Sequence, residues 1–130
     1  MIVLDASVAL ELILTTPDGA RAASRLRELE APMHAPHLID IEVLHVLRRI
    51  EGAGRITSPR ARAALGDFGD LAIRRHEHAF LRERIWRLRK NLTAYDAAYV
   101  ALAEALDAPL ITLDARLARS KGHRANVELI

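Results

Sequence analysis

Apolar positions along this chain fall into two rhythms, short unbroken runs and longer stretches repeating every three to four residues. Ile2-Val3-Leu4 is a β-branched-rich run that predicts a first strand, and Ala6 to Leu14 reads as a helix. Thr15-Thr16-Pro17-Asp18-Gly19 predicts a break, and Ala20 to Glu30 a second helix with Ala22, Leu26 and Leu29 on one stripe. Met33-His34-Ala35 before Pro36 predicts a short strand. From His37 to Glu51, Ile39, Val43, Val46 and Ile50 recur at i, i+4, i+7 and i+11, the spacing of an amphipathic helix. Gly52 and Gly54 end it. Ser58-Pro59 opens another helix, with Ser58 as the expected cap and Pro59 at the first position.

Leu71-Ala72-Ile73 is a candidate edge strand. His78 to Leu92 is helical by period, with Leu81, Ile85, Leu88 and Leu92 inward, and Thr93 starts a helix to Leu106. Pro109 to Leu113 predicts a strand, Ala115 to Arg119 a short helix and Val127 to Ile130 a last strand. Strands alternating with helices imply right-handed βαβ crossovers and a parallel sheet covered on both faces, an α/β fold. The pattern does not fix strand order. With 130 residues, no repeat and no long linker, one domain over residues 1–130 is expected.

That topology gives four acidic residues a shared address. In a βαβ unit the strand runs up and the helix runs back, so strand C-termini and helix N-termini meet at one sheet edge. Asp5 and Asp114 follow their strands directly, Asp96 lies in the first turn of its helix, and Glu42 in the second turn of another. Open α/β sheets place ligands at that edge. Each acid also has an ordinary explanation. Asp5 and Asp114 suit helix N-caps, Thr93-Ala94-Tyr95-Asp96 resembles a capping box, and Glu42 could be solvated beside the apolar stripe. Four carboxylates in one place, however, require a counter-charge, and the simplest is a hard divalent cation with oxygen ligands. Such an ion suits phosphodiester hydrolysis, where it neutralises phosphoryl oxygens and activates water. Ser7, two residues after Asp5, and Thr112, two before Asp114, stand one step behind, placed to hold a carboxylate or a water.

Composition narrows the chemistry. The cysteine count is zero, so there is no thiolate site and no disulfide, which fits a reducing compartment. The six histidines show no H-x-x-x-H helix pair, which argues against a zinc hydrolase. The N-terminal run MIVLDASVALELIL reads as strand and helix rather than a signal peptide, and no uncharged apolar run reaches the ~18 residues of a membrane span. A cytoplasmic location is expected. Net charge is only +2, yet the pI is about 9.5, and of 19 basic residues all but Lys90 and Lys121 are arginine. Arginine suits phosphate, although the bias also suits genome base composition. Arg82, Arg84, Arg87, Arg89 and Lys90 form a basic run leading into the acidic edge, a candidate RNA contact as well as an ordinary solvated helix face. Trp86, Tyr95 and Tyr99 read as core or interface, because 4% aromatic content is low for a stacking-based RNA reader.

The chain resembles the PIN-domain ribonucleases, and among them the VapC toxins of type II toxin–antitoxin pairs. The matching pieces are Val3-Leu4-Asp5-Ala6-Ser7, Ile41-Glu42-Val43 with Leu47-Arg48-Arg49, the run Leu92 to Ala103, and Leu113-Asp114-Ala115-Arg116-Leu117. They span essentially the whole chain in order. The resemblance implies a three-layer α/β/α sandwich with a parallel sheet of four or five strands. It implies that Asp5, Glu42, Asp96 and Asp114 ligate Mg²⁺ or Mn²⁺ for endonucleolytic cleavage of RNA. It also implies a homodimer and a VapB-like antitoxin whose C-terminal segment blocks the acidic groove. His45 stands where similar chains often carry a small polar residue.

Two readings from other classes remain beside it. A non-catalytic RNA- or protein-binding PIN module would use the same groove without cleavage. A receiver-like domain with a phosphorylated aspartate would want a lysine after a late strand, a place neither Lys90 nor Lys121 occupies.

Overall fold

The computed structural model describes residues 1–130. Five strands, β1 (Ile2–Leu4), β2 (Met33–Pro36), β3 (Ile73–His76), β4 (Leu110–Thr112) and β5 (Val127–Leu129), form one wholly parallel sheet in the order β3-β2-β1-β4-β5. The helices are α1 (Ala6–Leu14), α2 (Pro17–Leu29), α3 (Leu38–Gly52), α4 (Ser58–Asp70), α5 (Arg82–Arg87), α6 (Ala94–Leu106) and α7 (Ala115–Ala118). Helices α1 to α4 pack on one another, while α6 packs on α5 and lies across β1 and β2. The result is an α/β/α sandwich.

The chain first builds leftward, β1 to β2 to β3, and then returns to the other side of β1 for β4 and β5. Because crossovers are right-handed, that reversal sends the later helices to the opposite face and opens a crevice between β1 and β4. Strands β1 and β4, flanked on both sides, are buried along their length, and Val3, Leu4, Leu110 and Ile111 are fully buried. Helix α6 is buried from Ala97 to Ala103. Its alanines keep it thin enough to sit closely against the sheet, and a helix apolar on all sides is the expected one at the centre of a layer.

Most expected elements are present, with four local corrections. The break after α1 is only Thr15-Thr16. Pro17 occupies the first helical position of α2, where its missing N–H costs nothing, and the Thr16 hydroxyl accepts from the Gly19 N–H. Gly19 is buried there, and a Cβ would collide with the Glu11 carbonyl of α1, so this glycine sets a close helix–helix approach rather than a break. Thr57, not Ser58, caps α4, and Ser58 Oγ instead donates to Glu51 at 2.6 Å. Strand β3 begins at Ile73 and runs to His76, displaced from the expected Leu71–Ile73.

The fourth correction concerns 78–92. It is no continuous helix but a 3₁₀ turn at Ala79–Leu81, the six-residue α5, and tight turns in which Leu88 N–H is shared by the Arg84 and Ile85 carbonyls. Only Leu81 and Leu88 are buried in it. Two anchors seven residues apart do not supply the continuous buried stripe from which short helices draw their stability.

Candidate metal centre

The crevice between β1 and β4 opens into a cleft of about 770 Å³. Asp5, Glu42, Asp96 and Asp114 all line it, with Ser7, Arg49, Arg116, His45 and Tyr99. The sheet itself supplies Asp5 and Asp114 from either side of the strand-order reversal. Helix α3 contributes Glu42 from one layer and α6 contributes Asp96 from the other.

The caps expected of Asp5 and Asp114 are present, and both side chains also line the cleft. Asp5 caps α1, accepting the Val8 N–H on Oδ1 at 3.2 Å. The same oxygen accepts Ser7 Oγ–H at 2.5 Å, and Oδ2 accepts Thr112 Oγ1–H at 2.5 Å. Thr112 Oγ1 in turn accepts the Asp114 N–H at 2.9 Å, and Ser7 Oγ accepts the Leu113 N–H at 3.0 Å. Thus Ser7 and Thr112 tie the end of β1 to the end of β4 through one carboxylate. Asp114 caps α7, accepting the Arg116 N–H at 2.8 Å and its guanidinium at 3.4 Å. Thr93 caps α6, accepting the Asp96 N–H at 3.2 Å and fixing Asp96 in the first turn.

Tyr99 is the residue whose part the sequence reading missed. It is buried, as expected of core, but its hydroxyl donates to Glu42 Oε2 at 2.6 Å. Its spacing, three residues after Asp96 on one helix face, was the available signal. Arg49 and Arg116 were visible only as parts of matching segments, and folding brings both to the cleft.

Electrostatics mark the cleft as short of positive charge. Burial pushes the Asp5 carboxyl above its usual range, the three hydrogen bonds pull it back in part, and Asp114 raises it further. Glu42 is raised by burial, lowered by Tyr99, and raised by Asp96 and Asp5. Asp96 is raised by burial and by Asp114, with Arg116 opposing. At Asp114 burial also pushes upward, but its hydrogen bonds to the Arg116 and Leu117 backbone and to the Arg116 guanidinium prevail, leaving it below the ordinary value. Burial and the Glu42 carboxylate hold the Tyr99 hydroxyl far above the usual phenol range, so it stays a donor. No three acidic or histidine side chains stand close enough in this structure to ligate one ion together. Oxygen donors in excess of nearby cations fit a hard ion such as Mg²⁺, which binds through one or two carboxylates and keeps several waters.

The basic run lies elsewhere. None of Arg82, Arg84, Arg87, Arg89 and Lys90 lines the cleft. Arg84 forms a two-pronged pair with Glu104 at 2.6 and 2.9 Å, and Arg87 pairs with Glu83 at 3.0 Å.

Comparison with known proteins agrees with the geometry. The PIN domain family model matches residues 2–122. The chain belongs to the PIN-domain family. Within it the chain stands among the VapC ribonucleases: it is 45% identical to ribonuclease VapC12 of Mycobacterium tuberculosis over 130 residues, covering all of this chain and 99% of that one. Among solved structures, PAE2754 from Pyrobaculum aerophilum superposes with a TM-score of 0.73 at 23% identity, over 97% of this chain and 81% of that chain. VapBC2 from Rickettsia felis, bound to a DNA fragment from its promoter, gives 0.72 at 15% identity over 99% and 98%. These two likenesses establish the PIN fold. No helix is long and apolar enough to cross a membrane.

Proposed function

We propose that this chain is a divalent-metal-dependent endoribonuclease and the toxin of a type II toxin–antitoxin pair, a single PIN domain over residues 1–130 working in the cytoplasm. The observation that carries it is the convergence of Asp5, Glu42, Asp96 and Asp114, from both helical layers and both sides of the strand-order reversal, on one cleft. Three of the four are pushed toward protonation by burial and by one another, a strain that a cation relieves.

Asp5, Glu42, Asp96 and Asp114 would hold Mg²⁺ or Mn²⁺ between them, in part through its waters. When bound, the ion supplies positive charge to phosphoryl oxygens and acidifies water for in-line attack on the phosphodiester. The protein does the positioning. Ser7 and Thr112 fix both oxygens of Asp5, and Tyr99 fixes one oxygen of Glu42. Asp114 remains ionised at the lowest pH of the four. Arg116 and Arg49, at the cleft wall, suit contact with the RNA phosphates on either side of the scissile bond.

The partners in this proposal are RNA, a second copy of the chain and a VapB-like antitoxin. For the protein partners, support comes from Ile41 and Leu44, large apolar residues exposed on α3 beside the cleft.

The test is cleavage of a total small-RNA pool with Mg²⁺, with EDTA, and with Asp96→Asn. Fragments that appear only with the unaltered chain and metal support the proposal. Cleavage indifferent to chelation and to Asp96→Asn overturns it. The alternative for the same cleft is a binding-only PIN module. Such a module would bind RNA equally with and without metal and cut nothing.

A further inference from the structure

Five aromatic residues of the Phe, Tyr and Trp type occur in the chain, and folding divides them sharply. Phe68 and Tyr99 are buried, whereas Phe80, Trp86 and Tyr95 are 56%, 63% and 61% exposed. Phe80 and Trp86 fall in the segment 78–92 that carries the basic run, and Tyr95 follows it in the first turn of α6. Trp86 is not stranded there by chance of sequence alone, because its ring has a specific partner. The Arg89 guanidinium lies 4.4 Å from the centre of the indole and donates to the Trp86 carbonyl at 3.0 Å. One face of the indole is thereby charged and fixed.

A small depression of about 220 Å³ adjoins this pair, lined by Arg82, Ile85, Trp86, Arg89 and Ala94. Ala94 is followed directly by Tyr95, which lines the acidic cleft. The depression and the cleft therefore both border the first turn of α6. The arginines also sort themselves. Arg84 and Arg87 are held by glutamates, but Arg82 and Arg89 donate only to backbone carbonyls and keep their charge uncompensated.

We propose that Trp86, Arg82 and Arg89 form a nucleotide subsite beside the cleavage cleft, which takes one unpaired base of the RNA on the indole and a neighbouring phosphate on the two guanidiniums. This deepens the ribonuclease reading and rests on it. Charge complementarity names the occupant, since two uncompensated guanidiniums and a flat π surface match a phosphate and a base. Pairing hides the base faces, so the subsite accepts a single strand, a loop or a bulge and rejects the interior of a duplex.

Trp86 is the only tryptophan, so its fluorescence reports on this subsite alone. The experiment titrates the full chain carrying Asp96→Asn, in Mg²⁺, with a single-stranded RNA oligomer and with the same sequence as a duplex. Quenching by the single strand and not by the duplex is expected. Labelled-RNA anisotropy on Trp86→Ala in the same background should show roughly 5- to 150-fold weaker binding, the range for losing one base stack. Trp86→Phe should keep most of the affinity, and Arg89→Glu should weaken it. Melting curves identify any variant that fails to fold, and the exposed Arg82→Glu then serves in its place. Unchanged RNA affinity in folded Trp86→Ala overturns the subsite. So does a change of molecular mass in light scattering with no change in RNA affinity, which assigns the patch to contact between copies. Metal-dependent cleavage by the otherwise unaltered chain, surviving alongside either result, leaves the ribonuclease reading standing. Loss of all RNA binding and cleavage in the unaltered chain removes both.

Discussion

Replacing Thr112 with valine isolates what a single hydroxyl does for the acidic cleft. Thr112 is fully buried on β4, and valine has nearly its shape, so no cavity opens. Valine is also a good strand residue, and on propensity alone it should be neutral or stabilising. The hydroxyl, however, donates to Asp5 Oδ2 and accepts from the Asp114 N–H. A hydrogen bond to a charged group contributes about 1.5–3 kcal/mol and a neutral one about 1 kcal/mol. The Asp114 N–H is partly open to water, so its loss counts for less. Thr112→Val should therefore cost about 2–4 kcal/mol. At ~3–5 °C per kcal/mol for a domain of this size, Tm falls by roughly 6–20 °C. Thr112→Ser keeps the hydroxyl and loses one methyl group, about 1 kcal/mol. Thermal melts of the metal-free protein at neutral pH should thus rank the parent above Thr112→Ser and Thr112→Ser above Thr112→Val. In an Asp5→Asn background the gap between the two variants should shrink, because the hydroxyl no longer serves a charge. If Thr112→Val is as stable as Thr112→Ser, the bond to Asp5 does not carry the energy assigned to it.

Tyr99→Phe keeps the ring in the core and removes the donor to Glu42; calorimetric titration with Mn²⁺ should show about 10- to 100-fold weaker binding, and unchanged affinity would contradict the positioning role. Asp5, Glu42 and Asp96 all hold their protons more tightly folded than unfolded. Their contribution to stability is therefore most favourable below the ordinary values of 3.8 and 4.5 and is lost as pH rises through the raised folded values. Mg²⁺ should raise Tm at neutral pH and progressively less on acidification, which a melt series with and without the ion checks. Arg84→Ala should cost about 2–3 kcal/mol by denaturant melts, because Glu104, with its side chain 4% exposed, loses its counter-ion; Arg84 is itself 36% exposed, which keeps the loss below that of a fully buried pair. The Glu104 carboxyl is held below its usual value chiefly by Arg84, so this stabilisation is present above 4.5 and disappears as pH falls through the lowered value. The parent chain should lose more stability on strong acidification than Arg84→Ala does, and equal losses would show that the pair is not the cause.

Sequence alone determined the alternation of strands and helices, the fold class, and the edge at which Asp5, Glu42, Asp96 and Asp114 gather. Chain order suffices for that, because a parallel βαβ unit forces strand C-termini and helix N-termini to one side. Periodicity over-reached at 78–92, where an apolar repeat predicted a helix that too few buried contacts sustain. It also read Pro17 as a break, since the close approach that Gly19 permits to α1 belongs to packing and not to the chain.

Only the tertiary structure decided the strand order, and with it the crevice between β1 and β4. It joined Thr112 to Asp5 across 107 residues and Tyr99 to Glu42 across 57. It separated the arginines held by glutamates from Arg82 and Arg89, and it exposed Trp86, which the sequence had left between core and interface. Propensity and period are local quantities. Which distant side chains meet, and which ring is left facing water, depends on how whole layers pack, a property no local window of sequence contains.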